Sequence, residues 1–537
     1  MNLSHRWPLL VALAAWPLGW SAVAYAEDPF AVPPTDEPPP AVAEPFAATP
    51  TEADRGAIRL TGAGRSTVQR TSNYAVDPNG ARSNSGVLGS SRLTLQGDVD
   101  TGKTFGDWSI QAAVAADALS GTFTGRPTLE GDKLPGGRWD QLMLTQAWAG
   151  ISLRDLAVVK FGVMNSHWGL GLLANDGNHA MDSRRDDYFV LPTTGDRVAR
   201  AQLILQPWGR SESLARGLFL AFSVDNVIED NTAIRAQGDD AWQQVAALRW
   251  HFAKERWAGI YYVHRDQTYH DKTGPFLKVN VIDAAFDVDY RKAGTGLRLQ
   301  AEAALILGRT NLAPTPEHPE HDVRQSAAVA KARYDLGKYG LRFELDGGYF
   351  SGDDNLDDAA LTGFKANPNF QQGLLLFSQV LGFQSGRARI TAQNPSVTGY
   401  SSADLDRLAT NGSVTSAITA FPKVGWTVCQ GFEVYGGALL AFSPTAPVDP
   451  FTTRAVGGGV PYNYVGKKVD GSLLGTEFDL GAVVKLTPKT WPMALSVRGE
   501  YALLLPGGVL NGMDSDSPIH GGRLSLALTP VSSKEKK

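Results

Sequence analysis

Only one cysteine, Cys429, occurs in 537 residues, so no disulfide within the chain can brace the fold. Beyond the first 26 residues no run of 18 apolar side chains occurs, which excludes helical membrane spans. Neither sign of charge dominates. Fifty Lys and Arg stand against 55 Asp and Glu, a net charge of -5, which gives no basis for a nucleic-acid partner. G-x-S-x-G, H-E-x-x-H and paired-cysteine motifs are absent, and no Ser, His and acid share a marked spacing. The chain therefore reads as a non-enzyme without a cofactor. A mean hydropathy of -0.17 looks soluble. It excludes little, because strict alternation of apolar and polar residues also averages near zero.

The N-terminus reads as an export signal over 1–26. His5 and Arg6 precede an apolar stretch from Trp7 to Trp20, and Ala24-Tyr25-Ala26 offers the small residues that signal peptidase requires. Residues 27–56 are rich in Pro, Ala and acid, too poor in apolar surface to offset their ordering entropy, and read as a disordered periplasmic tail. A charged tail, 531–537, closes the chain.

Between them, 57–530 is dominated by period two. In 296–308, Leu297, Leu299, Ala301, Ala303, Leu305 and Leu307 alternate with Arg298, Gln300 and Glu302. In 340–350, Leu341, Phe343, Leu345 and Tyr349 oppose Arg342, Glu344 and Asp346. Alternation of this kind makes strands with one apolar and one polar face. A soluble sandwich and a membrane barrel both use such strands. Three features select the barrel. The strands run about ten to thirteen residues, the length of a tilted membrane strand. Trp242, Trp250 and Phe252 share a face, and the ten residues from first to last span roughly 33 Å of strand, or about 25 Å of height at a tilt near 40°, the separation of two aromatic girdles. The connections alternate long and short around the chain, as in outer-membrane barrels. The expectation is an all-β, antiparallel, up-and-down transmembrane barrel of about 18 strands, or 16 if one hairpin is mis-split. It would sit in a bacterial outer membrane, with lipid, a hydrophilic solute and the barrel-assembly machinery as partners.

A barrel of that size encloses water unless something fills it. The loops at 165–196 and 351–411 are the candidates for narrowing it, with Arg184, Arg185, Asp186 and Asp187 as constriction residues. The polar faces place Lys160, Arg249, Arg298, Lys331, Arg333, Arg342 and Arg498 on the inner wall. They also place Asp283, Asp287, Glu302, Glu344, Asp346, Glu477, Asp479 and Glu500 there. The signs are mixed, which points to no ion class. Arg298 with Glu302, and Arg342 with Glu344 and Asp346, are within reach of pairing. Asp353, Asn355 and Asp357 have the opening spacing of a calcium loop without its later Gly and Glu, so only a weak calcium site is expected there.

Short motifs add a resemblance. Gly348-Tyr349-Phe350-Ser351-Gly352-Asp353-Asp354, followed by Phe364 and Asn367-Pro368, resembles the "Y-x-SGD … F" loop of alginate-export and porin-like outer-membrane barrels. Leu474-Gly475-Thr476-Glu477-Phe478-Asp479-Leu480 resembles that family's "G-x-E-x-D" strand, and Tyr501 with Pro506-Gly507 its ending. The resemblance implies eighteen strands and a porin-like or polysaccharide-export role. The sequence departs from it in having no dominant Lys/Arg ladder. The function expected is passive passage of hydrophilic solutes or oligosaccharides through a loop-constricted channel. The alternatives are a structural or surface-binding barrel with a blocked lumen, and an export conduit for polysaccharide.

Overall fold

The computed structural model describes residues 58–530, apart from 84–86, 102–106, 124–136, 139–140, 154–155, 178–186, 192, 254, 270–273, 293, 393–403, 447, 454–460, 470, 489–492 and 513–516. The expected signal, both tails, and Arg184, Arg185 and Asp186 lie outside the described residues.

The chain forms one sheet of 20 strands. Two of these, Gly137–Arg138 and Ala360–Leu361, are two-residue pieces of loop, leaving 18 that build the wall. They are β1 (Ile58–Thr71), β2 (Leu88–Asp100), β3 (Trp108–Phe123), β4 (Gln141–Leu153), β5 (Ala157–Asn165) and β6 (Arg197–Leu205). There follow β7 (Leu218–Glu229), β8 (Asp240–Ala253), β9 (Arg256–Thr268), β10 (Phe276–Asp289), β11 (Thr295–Thr310) and β12 (His321–Leu336). The last are β13 (Leu341–Phe350), β14 (Ala417–Cys429), β15 (Phe432–Phe442), β16 (Leu473–Leu486), β17 (Met493–Pro506) and β18 (Ile519–Pro530). Each strand is antiparallel to the next. Pairing of β1 with β18, from Gly64 opposite Leu528 to Thr71 opposite Gly521, closes the sheet and leaves no edge.

The alternation seen in the sequence is the inside–outside alternation of this wall. On β11, Leu305 and Leu307 are exposed while Ala304 and Glu302 are buried. Trp242 and Trp250 both face outward, 52% and 42% exposed, and the Trp250 indole N–H donates to the Leu214 carbonyl at 3.1 Å. An apolar exterior of this extent belongs in hydrocarbon.

The rhythm of loop lengths fails at one point. The turn 206–217, on the short-turn end, is longer than the links 230–239 and 269–275 at the other end. There is a local reason on each side. Residues 214–217 form a 3₁₀ turn whose Leu214 carbonyl satisfies Trp250. At the other end the Asp230 carboxylate accepts from the Thr232 and Ala233 amides and tightens its loop.

Candidate functional site

The bore is not an open cylinder. The described parts of loop A (166–196) and loop B (351–416) both turn inward. Loop B carries a π-helical turn at Leu376–Leu381 that runs into α1 (Gly382–Ala392). Its Phe364, Phe370, Leu374, Leu375, Leu376 and Phe377 pack with Phe350 of β13, Phe421 of β14 and Leu439 of β15 as an apolar cluster inside the barrel. One side of the bore is therefore dry.

Two glutamates on the wall hold the loops by the same construction. Glu302 of β11 accepts from the Leu170 and Leu172 amides of loop A, the latter at 3.2 Å. Glu477 of β16 accepts from the Leu374, Leu375 and Leu376 amides of loop B at 2.5, 2.8 and 2.8 Å. Successive amides turned to one carboxylate form a small anion nest. In each case a glycine of positive φ precedes the first amide, Gly169 at 58° and Gly373 at 72°. A Cβ on Gly169 would lie 2.5 Å from Glu302 Oε2, and one on Gly373 2.8 Å from Glu477 Oε1. Absence of a side chain is what lets each carboxylate reach the backbone.

Cations of the wall hold loop carbonyls in the complementary way. Arg92 of β2 donates to the Gly177 and Thr193 carbonyls, both at 2.9 Å, and pairs with Asp117 of β3 at 2.9 Å. Arg498 of β17 donates to the Asp187 carbonyl at 3.2 Å. Trp168 of loop A donates to Asp283 at 3.1 Å and stacks on Tyr261 with centroids 5.2 Å apart. Tyr188 donates to Glu433, stacks on Tyr435 at 4.3 Å, and lies against Gly425, where a Cβ would meet its hydroxyl at 1.9 Å.

The two loops join each other across the bore. The Asn367 side-chain amide donates to the Asp196 carboxylate at 3.0 Å, and its backbone N–H to the Leu172 carbonyl at 2.7 Å. Thr193 N–H donates to Asn369 Oδ1, and Leu191 N–H to Gln371 Oε1, each at 2.7 Å. Asn369 and Gln371 return amides to Thr194 and Leu191 carbonyls, both at 3.1 Å.

Above this seam, at the long-loop end, lies a cavity of about 550 Å³ between the loops and β6–β12. Its wall is largely aliphatic, with Val263, Val279, Ile306 and Val323. Its acids are already occupied. Asp230 pairs with Arg265 at 2.5 Å, and Asp196 is taken by Asn367 and by the Asn175 amide. Arg407 is paired with Asp239 at 2.9 Å. Lys365 differs. It lines the cavity and its ammonium donates to two neutral carbonyls, Arg407 at 3.3 Å and Ala409 at 3.2 Å. Burial pushes its pKa down to about 8.

Below the seam, at the short-turn end, the wall carries ion pairs. Arg298 pairs with Asp287 at 2.6 Å, and Arg291, Arg333 and Arg342 gather around Asp335 at 2.9, 2.8 and 3.3 Å. Lys423 bridges Glu344 and Asp346 at 3.0 and 2.8 Å.

The charged wall residues read from the sequence have partners that differ from those expected. Arg298 pairs across the strands with Asp287 instead of Glu302, because Glu302 is committed to loop A. Asp346 pairs with Lys423, and Arg342 reaches Asp335 and, at 3.9 Å, Glu344. Glu500 is held by Arg523 at 2.5 Å and Tyr435 at 2.9 Å. Lys160 lies over Trp148, Arg249 over Trp257 and Lys331 over Phe370. Asp479 stands two residues from Glu477 on the same face, buried. Asp187 accepts from Arg498 through its backbone carbonyl. Sequence reading missed Arg65, Arg92, Asp117, Arg200, Asp225, Lys423 and Arg523, although their alternation with outward residues was there to use. Arg200 and Asp225 form a buried pair at 2.7 Å, and Arg65 stands directly opposite Arg92.

The calcium-like spacing has another account. Asp353 accepts from the Asn355 amide at 3.1 Å and the Thr362 amide at 2.9 Å, and Asn355 from the Asp357 amide at 3.1 Å. These are Asx turns. Among the described residues no group of three His, Cys, Asp or Glu could hold a metal ion.

Burial raises the Asp353 carboxyl to about 6, and Asp358 and Asp354 add to the shift. A carboxyl raised in the folded state binds its proton there more tightly than in the unfolded chain, where it titrates near pH 4. Its contribution to holding loop B is complete below about pH 4 and lost as pH rises through 6. Hydrogen exchange of residues 353–364 is expected to quicken between pH 5 and 7, and Asp353→Asn should flatten that dependence. An unchanged slope in the variant would remove Asp353 as its source.

No family model matches this sequence, and no curated protein matches it. Solved structures do. OccAB1 of Acinetobacter baumannii is similar with a TM-score of 0.48 and 11% identity, over 90% of this chain and 98% of that one. OccK8 (OprE) of Pseudomonas aeruginosa gives 0.47 and 10%, over 89% and 99%. OccK11 (OpdR) of the same organism gives 0.46 and 12%, over 88% and 96%.

Proposed function

We propose that the chain is a passive channel for hydrophilic solutes in a bacterial outer membrane, inserted there by barrel-assembly machinery. One observation carries this reading. A solute-sized cavity lies at the long-loop end and a mouth lined by ion pairs at the other, with a hydrogen-bonded loop seam between them. The long loops face outside and both termini face the periplasm. Planar-bilayer recording of purified protein tests the reading; a barrel that never conducts would sink it.

The cavity favours anions among those solutes, because its lining cations, Arg265, Lys365, Arg389 and Arg407, outnumber its acids, Asp196 and Asp230, and Lys365 bonds only neutral carbonyls. Lys365→Gln is expected to cut the anion-to-cation permeability ratio severalfold, as loss of one desolvated charge in a narrow passage should. In the parent channel the ratio should also fall as pH rises through about 8. A ratio insensitive to both changes would exclude Lys365 as the selective charge. The alginate-export resemblance adds acidic oligosaccharides to the candidates.

A plugged, surface-binding barrel is the second reading. The apolar packing of loop B against β13–β15 favours it. Bilayer recording separates the two directly.

A further inference from the structure

Charge on the outward surface is concentrated at one place. At the long-loop ends of β9–β12 the outward positions are Asp266, Lys278, Arg309, Asp322 and Arg324. Their inward neighbours Leu277, Val279 and Val323 line the cavity, so alternation fixes the charges outward. Register sets them side by side. Lys278 stands opposite both Asp266 and Arg309, and Arg309 opposite Asp322. Lys278 bonds Asp266 at 3.1 Å and Arg324 bonds Asp322 at 2.6 Å, all four half-exposed. Arg309 has no hydrogen bond or ion pair among the described residues. On β14–β18 the outward positions toward the same end are uncharged, with Ile418, Leu440, Phe442 and Leu505.

The height of the cluster is informative. Tyr290, exposed at the short-turn end of β10, marks one edge of the apolar band. Lys278 is twelve residues further along, roughly 40 Å of strand, or about 30 Å of height at a tilt near 40°. That lies just past an apolar band of about 25 Å, at the level of lipid headgroups. A cation without a counter-ion at that level meets phosphate.

We propose that the outer face of β9–β12 binds an anionic phosphate headgroup of the surrounding lipid. Arg309 is the central ligand. Lys278 and Arg324 flank it, each positioned by its own aspartate. This rests on the membrane setting proposed above.

The test uses the full chain in nanodiscs of phosphatidylcholine titrated with phosphatidylglycerol. Retained lipid is counted by native mass spectrometry and the unfolding midpoint is followed in parallel. The parent protein should retain phosphatidylglycerol preferentially and unfold later as it is added. Arg309→Ala should weaken retention about fivefold and the triple variant K278A/R309A/R324A more than tenfold, while Arg309→Lys should keep most of it. Equal retention by parent and triple variant would overturn the proposal. So would inorganic phosphate, in pure phosphatidylcholine discs, reproducing the midpoint shift, since the anion bound would then not be lipid. A cross-link between copies of the chain that vanishes in the triple variant would reassign the face to self-association. Conductance of Arg309→Ala is recorded alongside. A conducting variant that has lost lipid separates this site from the channel reading, and a parent that does not conduct counts against the channel alone.

Discussion

Glu477→Ala is expected to open the bore. The carboxylate accepts three consecutive amides at 2.5 to 2.8 Å, and no other acceptor among the described residues holds them in place. Truncation strands three buried donors. Each costs roughly 1–3 kcal/mol when unpaired, which is comparable with all that holds a loop segment in place. The segment 373–377 should therefore leave the wall and draw the apolar cluster with it. The expected reading is a severalfold rise in single-channel conductance with strong flicker. The barrel itself should persist, because β16 keeps its ladders to β15 and β17. Glu477→Gln is the informative companion. It keeps one good acceptor and loses the charge, so its conductance should fall between parent and Ala. Glu302→Ala should act in the same direction and less strongly, since it strands two amides where Glu477 strands three. A conductance unchanged in Glu477→Ala would mean that the hydrophobic packing of loop B holds it without the nest.

The wall of this barrel was legible in the sequence and the interior was not, for a physical reason. A strand that faces lipid on one side and polar groups on the other must alternate residue by residue, so each segment announces itself locally. Trp242 and Trp250 did so by spacing alone, and both face outward. The role of Glu302 and Glu477 had no local signature. Each appears in its own strand as one more polar residue on the inward face, Glu302 between two alanines and Glu477 between Thr476 and Phe478. Its partners are amides 130 and about 100 positions away. A backbone amide carries no side-chain mark. The one sequence trace is the Gly169-Leu170 and Gly373-Leu374 pair, which gains meaning only once a carboxylate faces it. The same blindness misassigned Arg298. Opposite charges four apart on a strand look like partners, but the cross-strand Asp287 was nearer and Glu302 was in use. The calcium-like run failed differently. Asp and Asn two residues apart bond their own chain so readily that the spacing is satisfied before any ion is needed.

Arg92 gives the other large effect. It lies almost wholly buried between Asp117 of β3 and two carbonyls of loop A, so one side chain serves both the wall and loop A. Arg92→Met should remove both functions together. Asp117 would be left as a buried anion that accepts from Thr94 at 2.6 Å, and losing one partner of a buried pair costs about 3–5 kcal/mol. The heat-unfolding transition should drop clearly and conductance should rise as Gly177 and Thr193 are released. The double variant R92M/D117L separates the two roles. Replacing both members of a buried pair by apolar side chains is often nearly neutral, so thermal stability should return toward the parent. Conductance should stay high, because methionine cannot donate to the two carbonyls. If the double variant recovered stability and low conductance together, loop A would be held by its seam with loop B, through Asn367, Asn369 and Gln371, and Arg92 would be part of the wall alone.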